Sequence, residues 1–175
     1  MARILIVVDM QKDFVTGVLG TGEARRILPT VVDRVRKFDG QIIFTRDTHQ
    51  SNYMETQEGK LLPVPHCIQG TEGWQLVDAL EEIRTQRNLP VYDKVTFGCP
   101  ELAADLLEAN EQEPIASIEL IGVCTDICVV SNALTIKAHL PEVPMYVDPS
   151  CCAGVTPQAH EAALATMRSC QIQMR

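Results

Sequence analysis

The chain has 175 residues, 46% of them hydrophobic and 22% charged, with a formal net charge of −8. At about 150 residues per domain this is one globular unit, large enough to bury a core without disulfides or a structural metal, and collagenous, low-complexity and disordered chains are excluded. The acidic balance repels phosphate backbones, so no nucleic-acid partner is expected.

Arg3 to Val8 is an unbroken apolar run after its first residue, as in a strand buried on both faces. An amphipathic stretch from Glu23 to Phe38 follows, with Pro29 predicting a kink or a later start. Asp39-Gly40 supplies the turn into a second strand, Gln41 to Thr45, which completes a β-α-β unit. His49 to Gly73 carries Gly59, Pro63, Pro65 and Gly70 without clear periodicity and reads as a long loop of the kind that is commonly functional. Helices are then expected at Trp74 to Arg84, Pro100 to Glu108, Asp126 to Ala138 and Pro157 to Arg168. They alternate with strands at Val91 to Val95, Ser117 to Ile121, Met145 to Val147 and Gln171 to Gln173. Pro100 and the Thr156-Pro157 pair mark helix starts. Residues 1–175 are thus expected to form one three-layer α/β domain, a doubly wound, mostly parallel six-stranded sheet flanked by helices.

No apolar run reaches the ~18 residues of a membrane span. Ile4 to Val8 is too short for a signal peptide, so a soluble cytoplasmic protein without a membrane partner is expected. The seven cysteines are odd in number and scattered, so reduced thiols are expected, one of them a candidate nucleophile.

Ligands of parallel sheets bind beyond the carboxyl ends of the strands. There the sequence places Asp9 after the first strand, Asp47 and His49 after the second, Lys94 at the third and Cys124 to Cys128 after the fourth. A carboxylate that takes a thiol proton, beside an ammonium that lowers the thiol pKa, suits nucleophilic acyl chemistry. Plainer roles stand beside this one: Asp9 as a turn cap, Lys94 as a solvated strand end, most cysteines as small core hydrophobes. Cys128 differs in falling within the first turn of the helix that begins near Asp126, where the dipole favours a thiolate. Cys124, four residues earlier, keeps a redox pair as a rival. Asp47, His49, Glu55 and His66 offer mixed oxygen and nitrogen ligands for a divalent metal, whether zinc, iron or manganese. His139 and His160 read as surface or packing residues.

The ordered blocks Val8-Asp9-Met10-Gln11-Lys12-Asp13-Phe14, Asp93-Lys94-Val95-Thr96-Phe97-Gly98 and Gly122-Val123-Cys124-Thr125-Asp126-Ile127-Cys128-Val129 resemble those of the isochorismatase-like cysteine hydrolases. The resemblance spans nearly the whole chain and is greatest to the metal-containing nicotinamidases. It implies Asp9 as general base, Lys94 as its charge partner and Cys128 as nucleophile. Asp47, His49, Glu55 and His66 become the ligands of one divalent ion per chain, zinc first. A cis peptide at Val123-Cys124 turns an N–H toward the oxyanion, with the Cys128 N–H as second donor, and Phe14 stacks on the substrate ring. Pro63 stands where many nicotinamidases carry a second aromatic, which leaves Leu62, Tyr53 or Trp74 to compensate. The implied reaction is hydrolysis of a primary carboxamide, nicotinamide to nicotinate and ammonia, through a thioester. Another small amide, an N-carbamoyl compound or an isochorismate-like substrate is the alternative. The resemblance leaves the oligomeric state, monomer or homo-oligomer, open, as well as the roles of Cys67 and Arg46.

Overall fold

A computed structural model describes residues 1–175. The elements run β1 (Ala2–Val8), α1 (Lys12–Val15), α2 (Gly22–Lys37), β2 (Gln41–Asp47), a 3-10 turn (Tyr53–Glu55), α3 (Gln57–Leu61), α4 (Asp78–Gln86) and β3 (Val91–Lys94). They continue with α5 (Pro100–Gln112), β4 (Ile115–Val123), a π-helical turn (Thr125–Val129), α6 (Val130–His139), β5 (Met145–Ala153), α7 (Pro157–Ser169) and β6 (Gln173–Met174). The six strands form one sheet in the order β3-β2-β1-β4-β5-β6, and every pairing is parallel rather than mostly so.

The strand period of two explains the three layers. Along β1, Ile4, Ile6 and Val8 face one apolar cluster with Leu102, Ala133 and Leu164 from α5, α6 and α7. Leu5 and Val7 face the other, with Val31 and Val35 from α2 and Leu80 from α4. Both faces of the central strand are therefore covered, and the strand order reverses between β1 and β4. That switch point opens a crevice at their carboxyl ends.

Several boundaries differ from the sequence expectation for identifiable reasons. Pro29 lies inside an unbroken α2; it is on the exposed side, where the Arg25 carbonyl that loses its helical partner can meet water. The helix expected from Trp74 begins only at Asp78. The preceding residues pair with the turn after β1 instead: Lys12 N–H donates to Gln75 O at 2.9 Å and Val77 N–H to Met10 O at 2.9 Å. β5 runs past Asp148-Pro149 through a bulge, its register shifting opposite Leu120 to Gly122. Asp148 Oδ1 accepts from the Ser150 N–H and hydroxyl, which folds the extra residues locally and returns buried Cys151 and Cys152 to the core. The stretch from His49 to Gly73 holds the 3-10 turn and α3, and His49 bridges Ile68 as an extra parallel pair. No helix is long and apolar enough to cross a membrane.

Candidate active site

β1 ends at Asp9, whose φ of 48° turns the chain sharply out of the sheet. Asp tolerates this left-handed conformation better than most residues. The carboxylate is fully buried. Its Oδ1 accepts from the Thr45 hydroxyl of β2 at 2.6 Å, and its Oδ2 lies 2.7 Å from Lys94 Nζ of β3. Lys94 Nζ donates onward to Cys128 Sγ at 3.5 Å and to the Thr96 carbonyl at 3.2 Å. Three residues separated by up to 119 positions in the chain thus meet because their strands are neighbours in the sheet, with Cys128 in the π-helical turn directly after β4.

Electrostatics set the resting protonation. Burial drives the Asp9 carboxyl above its usual range despite the adjacent Lys94. Lys94 is pushed the other way for an ammonium in an apolar site: burial disfavours its charge, but Asp9, Cys128 and Asp47 together hold the proton on more firmly than in water. Burial and the charge of Asp9 raise the Cys128 thiol well above its ordinary value, and Lys94 offsets only part of this. Burial thus favours the thiol form of Cys128, against the thiolate that the helix dipole favours.

The nucleophile turn is braced from both sides. Asn132, fully buried on α6, donates from Nδ2 to the carbonyls of Cys128 and Phe97 and accepts from the Cys99 N–H. His160 of α7 hydrogen-bonds buried Thr125 at 2.8 Å, a packing role in keeping with the sequence reading, while His139 is exposed. The Val123-Cys124 peptide is cis, as the resemblance implied. Cys124 lines the cavity and its thiol is pushed up to about 12 by burial. All seven cysteines are free.

Asp47, His49 and His66 come together as expected, but the fourth side chain of this candidate metal-binding group is Glu58 and not Glu55. Glu55 ends the 3-10 turn and is exposed; Glu58, one helical step on in α3, faces inward. His49 Nε2 is 2.9 Å from Asp47 Oδ2 and 3.7 Å from Glu58 Oε1; His66 Nε2 is 3.5 and 3.8 Å from the same two oxygens. Ligands each ~2.1 Å from one tetrahedral ion would stand about 3.4 Å apart, so this donor set fits a divalent cation. His66 Nδ1 bonds the Val64 carbonyl at 2.8 Å, which aims Nε2 at the cluster. Asp47 is held well below the usual carboxylate range: burial opposes its charge, but His49, His66 and Lys94 outweigh it.

Gln11 went unnoticed in the sequence. Its buried carboxamide accepts from the Asp47 N–H at 2.7 Å and donates to the carbonyls of Asp47 and Trp74 at 2.8 and 2.9 Å, which locks the end of β2. Thr45 is a second such residue. Neither has a signal in one sequence beyond its place at a strand end. Arg46 is paired with Asp93 through two bonds of 2.6 and 2.9 Å and lies over Trp74, 3.7 Å from the ring centroid. Trp74 is thereby turned away from the site. Cys67 is buried packing whose N–H donates to Asp13 Oδ2 at 2.8 Å.

A cavity of about 660 Å³ joins the thiol to the ligand cluster; Phe14, His66, Cys124, Ile127 and Cys128 line it, along with Leu61 and Leu62. Phe14 sits 5.5 Å from the His66 ring, where it can wall a planar group. Of Leu62, Tyr53 and Trp74, only Leu62 lines the cavity, while Tyr53 packs behind the two histidines at 4.8 and 5.1 Å.

The chain is similar to an isochorismatase family protein of Bacillus subtilis, 31% identical over 145 residues that cover 77% of this chain and 78% of that one. It is 25% identical to the nicotinamidase/pyrazinamidase of Mycobacterium tuberculosis over 187 residues, covering 98% and 97%. Its structure resembles that of the pyrazinamidase/nicotinamidase of Streptococcus mutans, with a TM-score of 0.85 at 25% identity and 99% and 100% coverage. It also resembles the pyrazinamidase of Pyrococcus horikoshii in complex with zinc, at 0.77 and 27% with 100% and 99% coverage. Residues 3–174 match the isochorismatase domain, and with the acid, lysine and cysteine gathered at one sheet edge this chain belongs to the isochorismatase family.

Proposed function

We propose that the chain hydrolyses a neutral heteroaromatic primary carboxamide, nicotinamide in the first instance, to the carboxylic acid and ammonia. The observation that carries this reading is one cavity that has Cys128 on one wall, backed by buried Lys94 and Asp9, and Asp47, Glu58 and His66 of the donor cluster on another. The names of the nicotinamidase relatives support it. No arginine or lysine is among the residues that line the cavity. That disfavours isochorismate-like acids and N-carbamoyl amino acids, whose carboxylates call for a cationic partner.

In the proposed reaction Cys128 Sγ attacks the amide carbonyl as its proton passes to Asp9, while Lys94 keeps the carboxylate oriented and balances its charge. The backbone N–H groups of Cys124 and Cys128 serve the oxyanion, each donor worth about 3 kcal/mol of barrier. Asp9 then returns the proton to the departing nitrogen, the C–N bond breaks and ammonia leaves a thioester. Asp9 next takes a proton from water as it attacks that thioester, and hands it to the leaving Cys128 sulfur. The four-ligand cluster would hold a divalent ion, zinc in keeping with the Pyrococcus pyrazinamidase, that supplies a Lewis-acid anchor for a ring nitrogen. We place this activity in the cytoplasm, where seven reduced thiols are at home.

Ammonia release from nicotinamide, measured with metal content on wild type, Cys128→Ser and Cys124→Ser, tests the proposal. Turnover by wild type and Cys124→Ser with loss only in Cys128→Ser is expected. Equal loss in both variants would instead favour the redox pair.

A further inference from the structure

The cavity is larger than the ring it is proposed to hold. A pyridine carboxamide has about nine heavy atoms and, at no more than the ~30 Å³ that a water occupies in the liquid for each, fills at most about 270 Å³. The cavity measures about 660 Å³, within the range of sites that enclose drug-sized ligands. More than half would stay empty over nicotinamide.

The surplus space has a definite chemistry. Leu61, Val95, Phe97 and Val155 line it and are 79%, 72%, 47% and 49% exposed. Large apolar side chains gathered around one opening mark a binding surface rather than ordinary scatter. Each reactive group also leads directly into this wall: Glu58 is followed in α3 by Leu61, Lys94 by Val95 and Phe97, and Cys128 is preceded by Ile127. A substrate that sets its carboxamide carbon on Cys128 must therefore lay whatever it carries beyond the ring on apolar side chains. The only carboxylates in the lining, Asp47 and Glu58, belong to the ligand cluster and leave nothing to pair with a charged substituent.

We propose, resting on the carboxamide hydrolase reading, that the preferred substrates are neutral aromatic primary carboxamides with an apolar substituent beyond the ring. Leu61, Val95 and Phe97 are the residues that select them. The substituent covers surface that water otherwise wets, so each buried methylene is worth about a fourfold gain in kcat/KM.

The test measures kcat/KM on the metal-loaded enzyme for nicotinamide and for homologues with methyl, butyl or phenyl on the free meta ring carbon. A rise along the series, reaching at least about tenfold for phenyl, is expected. The Leu61→Ser, Val95→Ser double variant should bring the phenyl-to-nicotinamide ratio back toward one. Homologues that react more slowly than nicotinamide would overturn the inference, as would a ratio that ignores the double variant. A sedimenting dimer that turns over nicotinamide and rejects the phenyl homologue would assign the wall to a second copy of the chain, overturning it as well. If no member of the series reacts, the hydrolase reading falls, and calorimetric titration of Cys128→Ala decides the wall separately. Tighter binding of the phenyl homologue than of nicotinamide supports it; equal or weaker binding removes it.

Discussion

Replacing Thr45 by Val isolates what orients Asp9, the proposed base. The Thr45 hydroxyl donates to Asp9 Oδ1 at 2.6 Å and accepts weakly from the Asp9 N–H at 3.3 Å. That N–H also donates to the Thr45 carbonyl at 3.2 Å, so it keeps a partner in the variant. Valine preserves shape, and the loss falls on the carboxylate. A hydrogen bond to a charged group is worth about 1.5–3 kcal/mol, and one pKa unit corresponds to about 1.4 kcal/mol. The Asp9 carboxyl, already raised by burial, should therefore rise by a further one to two units or so. The sign follows from the mechanism: only unprotonated Asp9 can take the thiol proton, so activity disappears as pH falls through this pKa. The acid limb of kcat/KM should move upward by about that amount, with a plateau near wild type once pH exceeds it. The limb belongs to the Asp9, Lys94 and Cys128 group as a whole, since such neighbours titrate together. A pH profile of ammonia release on both proteins decides it. An unmoved limb with a uniform loss at every pH would refute the reasoning and reduce Thr45 to packing.

Glu58→Gln should weaken divalent metal binding by more than the ~10–100-fold typical of an outer partner, whereas Glu55→Gln should keep the wild-type metal content; metal analysis after dialysis against a graded chelator compares them. Gln11→Ala leaves the buried Asp47 N–H and carbonyl without this clamp, at a cost of about 2–4 kcal/mol. For a chain of this size that lowers Tm by about 4–16 °C in a calorimetric scan. Gly122 has a φ of +119° and a Cβ there would overlap the Val8 carbonyl, so Gly122→Ala should force β1 and β4 apart and lower the urea midpoint sharply. Gly70→Ala, at a φ of +84° with open space around it, is the control and should lose only ~1–2 kcal/mol.

The parts of the fold that show in the sequence are those governed by local periodicity. The apolar run Ile4 to Val8 and the segment Ser117 to Ile121 fall within strands whose two faces are both covered, and Thr156 caps α7 by accepting from the Ala159 N–H. That Asp9, Lys94 and Cys128 meet is legible for a related reason. A parallel sheet puts the end of every strand on one edge, so residues just past an apolar run converge whatever their separation in the chain. Features fixed by tertiary pairing did not show. Trp74 to Val77 has helical composition, yet its backbone is claimed by the turn after β1, and β5 continues across Asp148-Pro149 because Asp148 closes the bulge itself.

The exchange of Glu55 for Glu58 follows the same distinction. Both glutamates lie in the segment between His49 and His66 and have the same chemistry, so composition cannot separate them. What separates them is helical phase. Thr56 caps α3 by accepting from the Gly59 N–H, and Gly59 packs so closely on the Tyr53 carbonyl that a Cβ would not fit. With Tyr53 pinned behind His49 and His66, α3 has one available rotation, which turns Glu58 toward the two imidazoles and leaves Leu61, one turn further, over the cavity. The short helix that completes the ligand set thus also supplies the first apolar residue of the outer wall. Gly59→Ala should therefore disturb metal retention and the selectivity for extended amides together, while a change at Leu61 should affect selectivity alone. Metal content and the phenyl-to-nicotinamide ratio measured on both variants check this, and metal loss in the Leu61 variant would break the argument from helical phase.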